Sequence, residues 1–522
     1  MKKQLAVVAM ALAILPSFGQ EEFRDWHFKD AKADKVPGIS YAQALSSVEG
    51  KTAKTVIVAV IDGGIDTTHE DLKANFWINP NEIPGNGIDD DNNGYADDIY
   101  GWNFIGGPGG NVEQENMELT RFYRELKKAE KDGSLNSRSE NWEEYISMKE
   151  TYESEFSEAS EMKTYFERLD WIYTMSDDLI SKHLGTKDYT MAQVRAIKTT
   201  NEDLRNAQEF LIVVDKEGLK KSDLYEAKDH FDKMVDYYLN LDFNPRVIVG
   251  DNPAEINDSL YGNNDVMGGD PSHGTHVAGI IGAVRNNDLG MDGIATDVKL
   301  MTIRAVPDGD ERDKDVAMGI RYAVNNGADV INMSFGKYYS PYSQMVFDAI
   351  AYAERNGVIM VHAAGNDASD IDGKPHYPTK SFNKNNSENQ YWIEVGASSN
   401  SAKKQLPANF SNYGDKTVDI FAPGVDIYSC VSGSKYEAQS GTSMAAPVVT
   451  GVVALVLNYY PEMDRAKVKE IVVNAGANYS KKKVLLPTEE GKASKIKFGE
   501  LSNSGRVINA AEALKLSSEM LN

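Results

Sequence analysis

Five short apolar runs rich in β-branched residues interrupt an otherwise mixed chain: Val56 to Ile61, Lys299 to Ala305, Asp329 to Met333, Val358 to Ala363 and Trp392 to Gly396. Their length and bounded character predict strands buried on both faces. Between them the apolar spacing changes to three and four. Val316, Ile320 and Val324 share one helical face ahead of Gly327, and Val346, Ile350 and Ala353 share another ahead of Gly357. Strand and helix in alternation predict an α/β fold, a mostly parallel sheet between two helical layers.

The middle of the chain has a different pattern. Residues 111–245 hold three Gly (Gly133, Gly185, Gly218), one Pro, 30 acidic and 19 basic residues. Tyr145, Met148, Tyr152 and Phe156 are spaced as one helix face, and Leu224, Phe231, Met234, Val235 and Tyr238 as another. Thr190 and Gln193 have capping-box spacing. An all-α insertion is therefore expected at 111–245, splitting a domain made of 52–110 and 246–522. Its aromatic residues, Trp142 and Trp171 among them, call for packing within the insertion or against a partner, a second copy included. An insertion tethered just before His273 is expected to narrow access to any site there.

At the amino end, Lys2 and Lys3 precede the eleven-residue apolar run Leu5–Leu15, then small residues at Ser17 and Gly19. That run is short of the ~20 residues of a membrane span and has the form of a signal peptide over 1–19. Residues 20–51 form an N-terminal extension. The expected product is exported, periplasmic or secreted, with no membrane span.

Charge and cysteine content narrow the classes further. The net charge of −24 opposes binding to nucleic acid phosphates. The single Cys430 excludes an internal disulfide framework and a Cys-rich zinc site.

Three motifs carry chemistry. Val58-Ala59-Val60-Ile61-Asp62-Gly63-Gly64 puts an acid at the carboxyl end of a buried strand, where ligands gather in parallel sheets, although a strand-terminal Asp also serves as a turn cap. His273-Gly274-Thr275-His276 opens a helix made slender by Gly274, Ala278 and Gly279, with His276 expected to be structural. Gly441-Thr442-Ser443-Met444-Ala445-Ala446-Pro447 places a Ser at a helix start, with Pro447 expected in the first turn.

In the order Asp, His, Ser these motifs resemble the subtilase (S8) serine peptidase family. Asn332-Met333-Ser334-Phe335-Gly336, Ala363-Ala364-Gly365-Asn366 and Phe410-Ser411-Asn412-Tyr413-Gly414 extend the resemblance. It implies a subtilisin-like fold and an endopeptidase with Asp62, His273 and Ser443 as its triad and Asn366 in its oxyanion hole. Ser334, Phe335, Gly336 and Gly365 would line the cleft for peptide or protein substrates, and catalysis would need no cofactor. An exopeptidase, a transpeptidase and an inactive scaffold on the same fold are the alternatives.

The chain departs from the family where Gly63 replaces the usual Ser or Thr and where 211 positions separate Asp62 from His273, and the short stretch between the signal peptide and the first strand leads us to expect no long inhibitory propeptide. Asp89, Asp91, Asn93 and Asp97 space oxygen ligands around Gly94, a pattern that predicts a structural calcium loop. Asp71 matches a family calcium ligand more weakly. Cys430 is expected to be a buried, inert thiol.

Overall fold

The computed structural model describes residues 24–374, 376–380, 388–488 and 493–521. The signal-peptide segment expected at 1–19 lies outside them. Two compact units form, one from Leu119–Phe243 and the other from the described chain before and after it.

The larger unit is built on a nine-stranded sheet. In chain order its strands are β1 (Val56–Asp62), β2 (Gly101–Asn103), β3 (Val298–Arg304), β4 (Val330–Met333), β5 (Ile359–Ala363), β6 (Trp392–Ser398), β7 (Ile420–Pro423), β8 (Gly476–Asn478) and β9 (Arg506–Ile508). They lie in the order β8-β9-β7-β6-β5-β4-β1-β3-β2, and every pairing is parallel except β8 with β9. The five apolar runs are all strands of this sheet, each within a few residues of its expected limits.

Alternation along β1 feeds two cores. Val58 and Val60 enter one with helices α1 (Ser272–Gly282) and α4 (Thr442–Tyr459). Ala59 and Ile61 enter the other with α2 (Asp313–Asn325) and α3 (Ser343–Arg355). Successive strand side chains point to opposite faces, so an unbroken apolar run is the pattern for a sheet covered twice. Helix α4 is apolar and long enough to cross a bilayer, but 89% of it is buried inside this core.

The N-terminal extension belongs to that core. Trp26, Ile39, Tyr41, Ala44 and Val48 are buried in it, the Trp26 indole donates to Val425 O at 3.0 Å, and the Tyr41 hydroxyl donates to Ile294 O at 2.6 Å. On the other side of the sheet, buried charges tie the returning chain to α2. Arg246 bonds Asp315 and Asp251, Lys314 reaches Asp251 at 2.6 Å, and the Tyr261 hydroxyl donates to Asp315.

The helical unit has a 43-residue spine, Trp142–Leu184. Tyr145, Met148 and Tyr152 are buried on one of its faces, with the Tyr152 ring 4.7 Å from that of Tyr123. Further along, Phe166 stacks on Phe231 at 5.4 Å, and Ile180 packs with Leu204 and Leu211. Thr190 and Gln193 form the expected capping box. Trp171 stays 64% exposed. The face from Leu224 to Tyr238 is not one regular helix. Helix Lys221–Lys233 gives way to a π-helical turn at Met234–Tyr238, where the Leu239 N–H bonds back to Met234 O at 2.8 Å.

Candidate active site

Asp62 ends β1 where the strand order reverses, with β4 on one side and β3 on the other. Crevices at such points collect ligands. Its carboxylate is buried, and Oδ1 accepts from the Gly63 N–H at 2.8 Å and from His273 Nδ1 at 2.8 Å. Oδ2 is buried without a hydrogen-bond partner among the described residues. Gly63, the departure from the family pattern, supplies only its backbone N–H to this carboxylate.

His273 stands in the first turn of α1, its side chain 45% exposed. The close approach of α1 to β1 depends on Gly274. A Cβ there would lie 2.2 Å from Gly64 O and 3.1 Å from Asp62 Oδ1. Burial pulls the His273 pKa down, but the Asp62 charge, its hydrogen bond and Asp270 outweigh that and raise the pKa above the usual 6.5. His276 is the structural histidine expected from sequence. It is buried, Nε2 donates to Glu437 O at 3.2 Å, and burial lowers its pKa to about 3. Cys430 is buried with its thiol pKa pushed up by burial.

Ser443 is the second residue of α4. Its hydroxyl donates to Ser334 O at 3.1 Å, and the Ser334 hydroxyl donates to Ser443 O at 3.0 Å. Pro447 accounts for the second bond. It lies in the second turn of α4, not the first as expected from sequence, and has no N–H to offer the carbonyl four residues back. The freed Ser443 carbonyl takes the Ser334 hydroxyl instead. Ser334 is itself held by the buried Asn332 amide at 3.0 Å, and Asn332 by the Thr450 hydroxyl at 2.8 Å.

Asn366 follows β5. Its side-chain oxygen accepts the Thr442 N–H at 2.9 Å and the Thr442 hydroxyl at 3.0 Å, which turns Nδ2 the other way. Asn366 Nδ2 and the Ser443 backbone N both lie 3.6 Å from the position a Gly441 Cβ would occupy, so the two donors flank Gly441. The Gly365 N–H donates to Thr442 Oγ1 at 3.1 Å, and Gly365 and Gly336 both pack against the His376 ring.

Sequence reasoning passed over three positioning residues. Thr442, inside the quoted Ser motif, orients Asn366. Asp270, three residues before His273, adds to its raised pKa. Arg304 has no local signal. It pairs with Asp62 across β1 and β3, is 2% exposed, and its Nε donates to Gly63 O at 2.8 Å.

A profile described as "Peptidase_S8: Subtilase family" matches residues 53–493. The chain belongs to the subtilase family. Among curated subtilases, it is 39% identical to the thermophilic serine proteinase of Bacillus sp. (strain AK1) over 185 residues, 35% of this chain and 42% of that protein. It is 36% identical to the minor extracellular protease Epr of Bacillus subtilis (strain 168) over 203 residues, 38% of this chain and 29% of that protein. The chain thus spans less than half the length of either relative. A solved structure of a protease from Pseudoalteromonas arctica aligns over 95% of this chain and 98% of that one, with 20% identity and a TM-score of 0.47.

In the acidic loop of this subtilase, Asp91, one of the four residues its spacing suggested, lies with two that the spacing did not single out, Glu82 and Asp98. Oxygens of Glu82, Asp91 and Asp98 lie within 4.8 Å of one another. Asp89 accepts from the Asn93 and Gly94 N–H groups, and Asp97 from those of Gly85, Asn86 and Gly87, so both carboxylates are engaged in closing turns. The Asn93 side-chain oxygen accepts the Tyr95 N–H, and its Nδ2 donates to Asp98 at 3.0 Å. Burial raises the Asp98 pKa to about 6 against hydrogen bonds from Tyr322, Asn79 and Asn93, with the Asp91 charge adding to the rise. Asp71 accepts from Asn287 Nδ2 at 2.7 Å and is buried apart from this group.

Proposed function

We propose that this subtilase is an exported serine endopeptidase acting through an acyl-enzyme. The observation that carries the reading is the 2.8 Å bond from Asp62 Oδ1 to His273 Nδ1, at the place where the β1 and α1 termini meet. Such a bond leaves the other imidazole nitrogen as a base and fixes its tautomer. The Ser443 hydroxyl turns from Ser334 O to His273 Nε2 and gives up its proton as Oγ attacks the scissile carbonyl carbon. The oxyanion takes hydrogen bonds from Asn366 Nδ2 and the Ser443 N–H. His273 returns the proton to the amine nitrogen, the C–N bond breaks, and an ester on Ser443 remains. Water then repeats the sequence, passing its proton through His273 to Ser443 Oγ. Asp62 stabilises the imidazolium in both halves.

A fluorophosphonate probe should label the wild type on Ser443 and leave Ser443→Ala unlabelled. Cleavage inside long peptides distinguishes an endopeptidase from an exopeptidase. Failure of the wild type to label with or without calcium defeats the reading.

Two further elements follow. The charged, then apolar, then small-residue order of 1–19 supports export, as does the extracellular relative. Protein recovered outside the cytoplasm should begin at Gln20. Glu82, Asp91 and Asp98 place three carboxylates together with no Lys or Arg bridging them among the described residues, a donor set that suits a hard, oxygen-seeking cation such as calcium. The ion would neutralise their mutual repulsion and stabilise the fold, outside the chemical steps. Chelation should lower the melting temperature, and Asp98→Asn should remove that sensitivity.

A further inference from the structure

The turn after Asp62 is made of two glycines, Gly63 and Gly64, with Gly64 at φ 135°. Neither has a side chain to brace the turn, and paired glycines leave the backbone free, so its rigidity comes from outside. The Asp62 carboxylate depends on that rigidity. Only Oδ1 is bonded, to the Gly63 N–H and His273 Nδ1, while Oδ2 has no partner among the described residues.

Arg304 is the brace. It ends β3 with Asp62 of β1 paired on one side and Asn103 of β2 on the other. Its guanidinium is buried, and every nitrogen is engaged. Nε donates to Gly63 O at 2.8 Å, and one terminal nitrogen donates to Val112 O at 3.0 Å and to Glu113 at 2.9 Å. The other terminal nitrogen reaches Asn103 Oδ1 at 3.4 Å. Glu113 in turn accepts the Gly269 N–H at 3.1 Å. A Cβ on Gly268 would lie 2.3 Å from Arg304 Nε and 2.6 Å from Cζ, so the Gly268 backbone rests directly on the guanidinium. The same segment also meets the glycine turn. The Ile65 N–H donates to Val266 O at 3.1 Å, and a Gly64 Cβ would lie 2.2 Å from Met267 O. One guanidinium thus joins the chain that has just left Asp62 to the chain about to reach His273.

We propose that Arg304 is a positioning residue of the catalytic pair, holding the Asp62 turn and the approach to His273 together so that the Asp62–His273 bond keeps its geometry through turnover. This rests on the peptidase reading given above. Arg304 acts through Gly63 on Asp62, and through Gly268 and Glu113 on the segment before His273. Lysine would keep the charge but not the planar fork that reaches Gly63, Val112 and Glu113 at once. With lysine at 304 the glycine turn loosens, and the imidazole loses part of the contact with Asp62 that raises its pKa.

The test compares the wild type with Arg304→Lys and Arg304→Gln on one peptide amide, with active sites counted by fluorophosphonate titration so that unfolded enzyme is excluded. In both variants kcat per site should fall by about 10- to 100-fold with KM nearly unchanged, the size of a loss of alignment near 1 Å. The acid limb of kcat/KM should move to lower pH, because a weaker Asp62 contact lowers the His273 pKa. A purely structural role would lower the melting temperature and leave kcat per site and the acid limb where they are. That pattern, or a change in KM alone, overturns the assignment. A wild type that neither cleaves the peptide nor takes the probe defeats the peptidase reading instead. If neither Arg304 variant folds, Gly268→Ala decides, since its methyl presses on the guanidinium and leaves the buried charge in place. An unchanged kcat per site in Gly268→Ala then overturns the proposal.

Discussion

Ser443 and Ser334 exchange hydrogen bonds, hydroxyl to carbonyl in each direction, at 3.1 and 3.0 Å. The pair joins the start of α4 to the chain leaving β4. It also sets the resting direction of the Ser443 hydroxyl, toward Ser334 O and not toward His273. Ser334→Ala removes the donor that Pro447 makes necessary and leaves the Ser443 carbonyl short of a partner. The expected cost is about 1 kcal/mol of stability. Turnover should fall severalfold, measured as kcat on a peptide ester and a peptide amide beside a thermal melt. A wild-type melt and wild-type rates would show that this bond holds nothing in place.

Gly274→Ala should be far more damaging to chemistry than its size suggests. The added methyl meets the Gly64 carbonyl at 2.2 Å, so α1 must withdraw from β1 and the Asp62–His273 bond must lengthen. Overpacking of this kind costs about 1–3 kcal/mol. Activity should drop by about 100-fold or more, as positioning losses near 1 Å do. Kinetics together with a denaturant midpoint separate the two effects.

Activity should rise with pH through the His273 titration, with its midpoint above 6.5. The Asp62 charge raises that pKa, so in Asp62→Asn the residual activity should have its acid limb moved to lower pH. The same shift has a stability consequence. A folded pKa above the unfolded one stabilises the protein fully below 6.5, and that contribution fades as pH rises through the raised value. A pH profile of kcat/KM for both proteins checks the direction.

Arg246→Met should be strongly destabilising. The guanidinium side chain is 6% exposed and bonds Asp251 and Asp315, which are buried in their turn. Removing it leaves Asp315 with no cation and only the Tyr261 hydroxyl, while Asp251 keeps Lys314, a loss of about 3–5 kcal/mol when one partner of a buried pair goes. The urea midpoint should fall accordingly. A second change, Asp315→Asn, should recover part of the loss.

Much of this molecule was legible in the order of its residues. The five strands could be read because a strand covered on both faces needs no alternation, only a short apolar run. Asp62, His273 and Ser443 stood out because each sits at the end of a strand or the start of a helix, in an order that resembles the subtilase pattern, and Asn366 stood out through that resemblance alone. Tertiary structure decided the rest. Nothing near Arg304 marks it as the support of Gly63, since the contact is made across a parallel strand pair 241 positions apart. Asp91 meets Glu82 and Asp98, nine and seven positions away, through a loop folded by hydrogen bonds to all of its carboxylates. The N-terminal extension reads as a short polar segment with a few apolar residues, yet Trp26 and Tyr41 complete a core that also draws on residues as distant as Val449 and Ile508. His376 carries no motif at all. Its place against Gly336 and Gly365 follows from how three separate loops converge, and local sequence spacing holds no record of such convergence.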